Sequence, residues 1–347
     1  MLPKKYFLII FLLFLGNKIF AQDPQFTQFY ANPLYQSPAF AGAALQSRVV
    51  LNYRNQWPGI SSNYQTYSAS YDHFFEKIKS GIGFQVLNDR QGIGRLNSLD
   101  VAGQYAYQLR LSNKFSYRQG LQLSYVQRNI NYSALTFGAQ WDGNSFNPAV
   151  SNDENFSSPV KRYADVSTGG LLFSDQFYFG VSLHHLTRPV QNFSGQGEIS
   201  RLPIKITAQA GWKIPLDMET RKGLAENITD AEKSITPVLL YRQQGDFNQV
   251  DAGVYLTYEP LIIGLWYRGL PLRVTNIVGI NNHDAMAILI GYHLNGFTVG
   301  YSYDYTISKL NNTATGGSHE ISLSYTYRNN KKPPVSKKMK YTPCPRF

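Results

Sequence analysis

Alternation of apolar and polar residues is strongest in the last hairpin of the chain, residues 296–328. In each arm every second residue is apolar, and these residues are Phe297, Val299, Tyr301, Tyr303, Tyr305, Ile321, Leu323, Tyr325 and Tyr327. Neighbouring side chains of a β-strand point to opposite faces, so one face of this hairpin is aromatic and aliphatic and the other is small or polar. A soluble sheet with one solvated face shows the same pattern, so alternation alone leaves open which face is the core.

Similar stretches, separated by turn residues, recur along the chain and predict an all-β protein. The predicted strands are fourteen, at residues 47–55, 63–73, 80–88, 95–110, 114–128, 161–173, 176–188, 201–213, 235–243, 247–258, 261–268, 284–294, 297–305 and 317–327. Many are about 9–12 residues long, which suffices to cross a bilayer at a tilt of about 45°. An even number of strands is expected of a single-chain bacterial outer-membrane barrel.

The lengths of the connections distinguish the two ends of the predicted sheet. Even-numbered connections are mostly tight turns, at 111–113, 174–175, 259–260 and 295–296, whereas odd-numbered connections include the long loops 129–160, 189–200, 269–283 and 306–316. This sorting is typical of periplasmic turns and extracellular loops. We therefore predict a transmembrane antiparallel β-barrel of about 14 strands over residues 47–327. Residues 214–234 are long yet fall at the short-turn end, so they form either a true periplasmic excursion or an error in the strand count.

Aromatic residues near the strand ends suit the two interfacial girdles of such a barrel, although core aromatics of a soluble β protein are the alternative. The girdle candidates are Tyr53, Trp57, Tyr71, Tyr125, Trp212, Tyr258, Trp266 and Tyr327. On the opposite face, polar residues such as Gln104, Gln122 and Gln209 suit a polar lumen. About 14 strands enclose a lumen that wall side chains alone do not close.

Residues 22–46 precede the first predicted strand and are rich in proline and aromatic residues. They have no regular period, so we predict an ordered, extended N-terminal segment rather than a flexible linker. Since the lumen needs filling, this segment is a candidate plug. Its candidate plug residues are Phe26, Phe29, Tyr30, Tyr35 and Phe40.

Composition and charge narrow the class of protein further. The chain has 347 residues, 43% of them hydrophobic, and a formal net charge of +11. Three lysines in the first 21 residues and seven basic residues in the last 20 lie in stretches without any acid, so the body between them is nearly neutral. A neutral body argues against a nucleic-acid groove. The single cysteine, Cys344, excludes a disulfide within the chain.

Residues 1–21 are predicted to be a secretory signal peptide. Lys4 and Lys5 form its basic region, residues 6–16 its apolar region, and Ala21 the small residue at the cleavage site. A transmembrane anchor, the alternative, needs about 20 apolar residues, and this run is too short. No later run approaches that length. A mature membrane protein would therefore be a β-barrel, the other structure that satisfies every backbone group in lipid.

Short motifs recur in order along the whole mature chain. They are QDPQFTQFY, ANPLY and SPAFAG within residues 22–42, YRNQWP from Tyr53, GIG from Gly81, NDRQG from Asn88, HHLTRP from His184, YSYDY from Tyr301, HEI from His319 and CPRF at the end. In this order and spacing they resemble the PorP/SprF family of type IX secretion outer-membrane proteins. The resemblance implies a non-enzymatic outer-membrane component of the type IX secretion and gliding apparatus. Family members are thought to help secrete, and hold at the surface, an adhesin-like partner with a type B C-terminal domain, and to contact periplasmic components of the machinery.

Two regions are candidate partner-binding sites. The long loops 129–160 and 189–200 carry Trp141, Phe146, Phe156 and Phe193, which we expect to contact the secreted partner. Residues 328–347 form a basic tail, expected in the periplasm, whose prolines cannot continue a sheet. Its candidate contacts to a periplasmic component are Lys331, Lys332, Lys337, Lys338, Lys340, Tyr341 and Phe347. A disordered, solvated tail is the alternative.

Candidate catalytic and metal-binding residues are sparse. His184 and His185 occupy adjacent strand positions, so their side chains are expected to face opposite ways. No HExxH, CxxC or GxSxG motif is present. We therefore expect no enzyme activity, cofactor or metal, and as partners the outer-membrane lipid, a secreted protein and periplasmic components, but no nucleic acid. A passive channel or hydrophobic-solute transporter is the alternative function, which conductance in a planar bilayer would distinguish. An outer-membrane enzyme whose catalytic residues meet only in the fold is a third class.

Overall fold

The strands of the protein form one antiparallel sheet that closes on itself. The computed structural model describes residues 23–61, 63–92, 95–132, 135–136, 140–141, 145, 147, 159–193, 200–217, 232–269, 284–308, 312–327 and 342–343. Each strand pairs with its neighbours in the sequence, and the first strand pairs with the last. This closure leaves the sheet without an edge.

The described residues contain fifteen strand segments. They are β1 (Ser47–Gln56), β2 (Tyr64–Phe75), β3 (Ser80–Gln91), β4 (Leu96–Arg110), β5 (Ser116–Asn129), β6 (Val160–Phe173), β7 (Phe177–His184), β8 (Lys205–Trp212), β9 (Ile214–Pro215), β10 (Lys233–Gln244), β11 (Phe247–Tyr258), β12 (Leu261–Arg268), β13 (Ala285–Leu294), β14 (Phe297–Thr306) and β15 (Ser318–Tyr327).

Segments β8 and β9 are two parts of one strand of the barrel. Both pair with β10 in a single register, with Gly211 opposite Val238 and Ile214 opposite Ile235. The same register places Pro237 opposite Trp212, the last residue of β8, and Thr236 opposite Lys213, the residue between the two segments. Proline has no N–H to donate to the ladder, so the pairing is interrupted there. The barrel therefore has fourteen strands, and the predicted fold class is confirmed.

Most predicted strands agree with the observed ones to within three residues. The largest differences flank one connection, because β7 ends at His184 instead of residue 188 and β8 begins at Lys205 instead of residue 201. His185 has φ +61, so the chain leaves the extended conformation there. The strands on both sides of the connection between Leu216 and Glu232 keep their alternating direction, so the strand count does not slip there, and residues 218–231 lie outside the described residues.

The two ends of the barrel differ as predicted. One end carries the short turns 76–79, 111–115, 174–176, 259–260 and 295–296. The other end carries the long connections 130–159, 185–204 and 269–284. By the rule for bacterial barrels, the first is the periplasmic end and the second the extracellular end.

The outward face is apolar and the inward face is polar. In the last hairpin Ile321 is 50% exposed, while its neighbour Glu320 is completely buried. Among the girdle candidates, five are exposed on the outer wall: Tyr71, Tyr125, Trp212, Tyr258 and Tyr327. The prediction for Trp266 was wrong: its side chain is only 6% exposed, because it shares the inward face of β12 with Ile262.

The helices are short and lie mostly before the first strand. They are α1 (Pro33–Gln36), α2 (Asn312–Thr315) and 3-10 turns at Phe29–Ala31, Pro38–Phe40 and Glu76–Ile78. Within the part of the chain that the structure describes, no helix has the length and apolar character needed to cross a membrane.

Candidate functional site

Residues 23–46 run through the lumen of the barrel. Pro33 and Pro38 each begin a short helical turn, where the fixed φ of proline is favourable and its missing N–H costs nothing. The side chain of Ser37 accepts a hydrogen bond from the backbone N–H of Ala39 at 3.3 Å. These local turns give the segment a compact, defined path between the strands.

The aromatic residues of this segment pack against inward-facing aromatic residues of the wall. Phe26, Phe29, Tyr30 and Phe40 are buried, and Tyr35 is half-buried. The ring of Phe29 lies 5.0 Å from that of Trp266, and the ring of Tyr30 lies 5.4 Å from that of Tyr255 and 6.0 Å from that of Tyr178. The otherwise polar lumen thus has an apolar patch where the segment crosses it.

A buried ion network holds the first part of the segment near the extracellular end. Arg54 contacts Asp304 at 2.8 Å and Glu320 at 3.1 Å, and Arg268 contacts Asp304 at 3.2 Å. The hydroxyl of Thr27 lies 2.7 Å from Asp304 and accepts hydrogen bonds from both arginines, while its backbone N–H donates to Glu320 at 2.7 Å. We call these five residues the lumen ion network. Its charges compensate one another, as buried charges must.

A second cluster, the N-terminal clasp, consists of Asp23, Asp165, His185 and Lys205. The ring of His185 lies 2.6 Å from Asp165 and 2.8 Å from Asp23, and Lys205 contacts Asp23 at 3.1 Å. Burial would lower the pKa of His185, but the two carboxylates outweigh it and raise the pKa to about 9. Burial would raise the pKa of Asp23, but His185 and Lys205 hold it well below its usual value. His185 and Asp23 are therefore both charged near neutral pH.

Backbone contacts hold the last part of the segment near the periplasmic end. The completely buried Arg118 donates hydrogen bonds to the carbonyl oxygens of Ala41 and Gly42, the latter at 3.3 Å. The N–H of Gly42 donates to Asp72 at 2.8 Å. Gly42 has φ +69, which favours glycine. The segment is therefore fixed at both ends of the lumen.

Little space is left between the segment and the wall on one side of the lumen. A cavity lined by Asp23, Phe26, Tyr35, Lys205 and Arg242, among others, has a volume of about 20 Å³. Such a volume is enough for about one water molecule.

The candidate partner-binding residues lie apart from this site. Trp141 is 59% exposed and Phe193 is half-buried. Phe146, Phe156, Lys331, Lys332, Lys337, Lys338, Lys340, Tyr341 and Phe347 lie outside the described residues. Partner binding by all of them stays a prediction.

Sequence reasoning missed the charged residues of the lumen ion network and of the N-terminal clasp. The alternation of the strands could have revealed part of the lumen ion network. Arg54, Asp304 and Glu320 each lie at an inward position, next to outward aromatic or apolar residues of the same strand. Alternation could not predict the direction of the His185 side chain. Its positive φ turns its side chain to the same side as His184, with the ring centres 6.3 Å apart, so the expectation of opposite faces was wrong. Among the described residues, no group of His, Cys, Asp and Glu side chains could hold a metal ion.

The N-terminal clasp predicts a pH-dependent stability. The pKa of His185 is raised to about 9 from its ordinary 6.5, so its stabilisation is complete below pH 6.5 and is lost as pH rises to about 9. This contribution is at most about 3 kcal/mol. We expect a His185→Asn variant, which tolerates positive φ, to be less stable than wild type at pH 6 and to approach it at pH 10. Unfolding of both proteins in detergent across this range tests the effect. A difference in stability between the two proteins that stays the same from pH 6 to pH 10 would contradict this prediction.

The chain is similar to one protein family over most of its length and to several solved structures in its fold. Residues 19–325 match the family described as type IX secretion system membrane protein PorP/SprF. No curated protein sequence matches the chain. Its fold is similar to that of the Ralstonia pickettii toluene transporter TbuX, with 8% identity and a TM-score of 0.48 over 85% of this chain and 93% of that one. It is also similar to a Pseudomonas aeruginosa FadL homologue, with 10% identity and a TM-score of 0.43 over 84% and 94% of the two chains.

Proposed function

The chain belongs to the PorP/SprF family of type IX secretion system membrane proteins, and on this premise we propose that it is a non-enzymatic docking barrel of that system. Its extracellular loops hold a secreted partner with a type B C-terminal domain at the cell surface. Its periplasmic tail contacts the secretion machinery. Both roles act through the ends of the barrel and need no transport through its lumen.

The observation that carries this proposal is the occupied lumen. Residues 23–46 contact inward side chains around the barrel, from Asn52 on β1 and Gln104 on β4 to Ser182 on β7. The alternative function, a passive channel or a hydrophobic-solute transporter, requires a continuous path through the lumen. A segment fixed at both ends of the lumen argues against a permanently open path and favours a role for the outer surfaces.

The extracellular surface has a large aromatic side chain suited to a protein interface. Trp141 lies in the connection between β5 and β6 and is 59% exposed. Exposed tryptophans often become the buried anchors of an interface, since they bury much apolar area at little entropic cost.

The loop contact predicts a loss of surface retention. Shortening residues 129–160 to a short Gly-Ser linker should release the secreted partner into the medium, because the loop supplies its anchor. A Trp141→Ala variant should weaken retention in the same direction. Partner on intact cells and in the medium is quantified by immunoblot, with Trp212→Ala, which removes a lipid-facing tryptophan of similar exposure, as the matched control. Unchanged retention in the shortened variant, with the barrel inserted normally, would refute the loop contact.

The tail contact predicts a loss of periplasmic partners. The last seventeen residues carry six basic residues and no acid, and Tyr341 and Phe347 supply aromatic anchors. Deleting residues 331–347 should leave the barrel inserted but remove the periplasmic proteins that co-purify with it. Replacing the five lysines with glutamine should give a partial loss, and added salt should weaken the wild-type contact, because exposed ion pairs are screened over about 10 Å at about 0.1 M salt. Full recovery of the partners with the truncated barrel would identify the tail as a solvated end.

A further inference from the structure

Two arginines and three amide side chains lie together on the outer wall near its extracellular end. Arg90 on β3, Asn97 on β4, Asn129 on β5, and the pair Gln127 and Arg162 on β5 and β6 face outward there. Arg90 is paired with Asn97, Asn97 with Asn129, and Gln127 with Arg162, so the five residues are adjacent across four strands. We call them the outer arginine patch.

The height of this patch follows from the aromatic girdles of the same strands. Tyr117 and Tyr125 face outward on β5 eight residues apart, which at a tilt of about 40° separates them by about 20 Å along the barrel axis. This separation is close to the about 25 Å of the apolar band of an outer-membrane barrel. Gln127 and Asn129 lie beyond Tyr125, and Arg162 is level with Gln127. The patch therefore lies at the level of the lipid headgroups of the outer leaflet.

The charge of the patch is uncompensated within the described part of the chain. The guanidinium of Arg90 forms no hydrogen bond or ion pair with any described residue. Arg162 donates only through Nε, to Gln127 at 2.9 Å, which leaves its terminal nitrogens available. The outward positions of β3, β4, β5 and β6 carry no carboxylate. The inward arginines Arg54 and Arg268, in contrast, are paired with acids.

The outward positive charge is confined to one arc of the barrel. The outward row continues from Arg90 to the uncharged Gln65 and Asn55, and on the other side the outward residues near the extracellular end are Gln243, Tyr241, Val250, Tyr267, Met286 and Tyr305. Just below the patch, the outer wall is apolar, with Leu123, Val101 and Ala164 around Tyr125. A cationic rim above an apolar wall matches a ligand that has an anionic head and acyl chains.

We propose that the outer arginine patch binds the phosphate group of a glycolipid of the outer leaflet. Arginine guanidinium groups bind phosphate oxygens through paired, charge-assisted hydrogen bonds. Asn97 donates to Asn129 at 3.3 Å, which leaves amide groups of this pair available for the sugar or phosphate oxygens. Neighbouring strands are about 4.8 Å apart, so Arg90 on β3 and Arg162 on β6 lie about 14 Å apart across the sheet and approach one headgroup from two sides. Acyl chains then lie along the wall below.

The test compares the intact protein with an Arg90→Gln/Arg162→Gln variant in detergent. Both side chains are exposed, so the substitutions should leave unfolding unchanged. Native mass spectrometry measures binding of a bisphosphorylated lipid A and of the same lipid after enzymatic removal of its phosphates. The double variant lacks both guanidinium groups, so it should lose about tenfold or more in affinity for the phosphorylated lipid. Arg110→Gln, which changes an exposed arginine at the periplasmic end, should bind it like wild type.

Three outcomes would overturn the proposal. The first is equal binding of phosphorylated lipid by the double variant and the wild type. The second is binding of the dephosphorylated lipid as tight as that of the phosphorylated one, or complete displacement of the lipid by millimolar inorganic phosphate. The third is a double variant that keeps the lipid but loses an acidic protein partner. Lipid binding at the patch does not require the secreted partner, so this experiment and the loop experiment can fail independently.

Discussion

Deleting residues 23–41 should turn a barrel with an occupied lumen into a conducting one. The wall of a barrel of fourteen strands is held by its closed ladder of backbone hydrogen bonds, which the deletion leaves intact. The inward side chains are mostly polar, and water can satisfy them once the segment is gone. Barrels of 16–18 strands enclose aqueous channels, whereas about 8 strands leave a filled interior. A barrel of this size emptied of its segment should therefore conduct ions in discrete steps in a planar bilayer.

A point variant tests the same idea without removing any residue. A Cβ at Gly120 would lie 2.3 Å from the backbone of Pro38 and Ala39, so Gly120→Val must push the segment away from the wall. Overpacking of this kind costs about 1–3 kcal/mol and should raise the frequency of open events. Gly103→Val on the adjacent strand is the matched control, because its Cβ would meet nothing within 4 Å. If the deletion variant inserted normally but conducted no ions, the segment in the lumen would not be what blocks conduction.

Asp304→Ala should release the first part of the segment at a cost of about 3–5 kcal/mol in stability. The substitution removes the acid that Arg54 and Arg268 share and the acceptor of the Thr27 hydroxyl. Removing one partner of a buried ion pair leaves the other charge uncompensated, which accounts for the size of the effect. Unfolding in detergent gives the loss of stability, and limited proteolysis shows whether residues 23–46 become accessible before the barrel unfolds.

Two further substitutions serve as controls for the Asp304→Ala variant. Asp246→Ala removes an exposed acid in the turn between β10 and β11 and should change stability by less than about 0.5 kcal/mol. Asp304→Asn keeps an acceptor for Thr27 but loses the charge, so its effect should lie between those of the two alanine variants. A loss for Asp304→Ala no larger than that for Asp246→Ala would show that the lumen ion network does not hold the segment.

The outward and inward sets of most strands were readable from the sequence. In β14 and β15 apolar and polar residues alternate strictly, so a single reading assigns every side chain to one of two faces. The sorting of connection lengths then indicated which end faces the cell exterior. These features are local or periodic, so they can be predicted without knowledge of any distant contact.

In β12 the alternation of apolar and polar residues does not identify the inward face. Its residues LIIGLWYR are apolar on both faces, so alternation cannot assign Trp266. Trp266 lies on the inward face, where Phe29, more than 200 positions earlier, provides an apolar surface inside an otherwise polar lumen. The identity of the inward face at this point depends on a segment that is not part of the wall.

The sequence by itself determined the strand number, the faces of the alternating strands, the two ends of the barrel and the family. Only the tertiary structure decided which inward charges meet and where the N-terminal segment lies. Arg54 and Glu320 are 266 positions apart, and closure of β15 onto β1 makes them neighbours. The physical reason is that periodicity records the direction of a side chain, whereas the pairing of buried charges depends on barrel closure and on the path of the segment through the lumen.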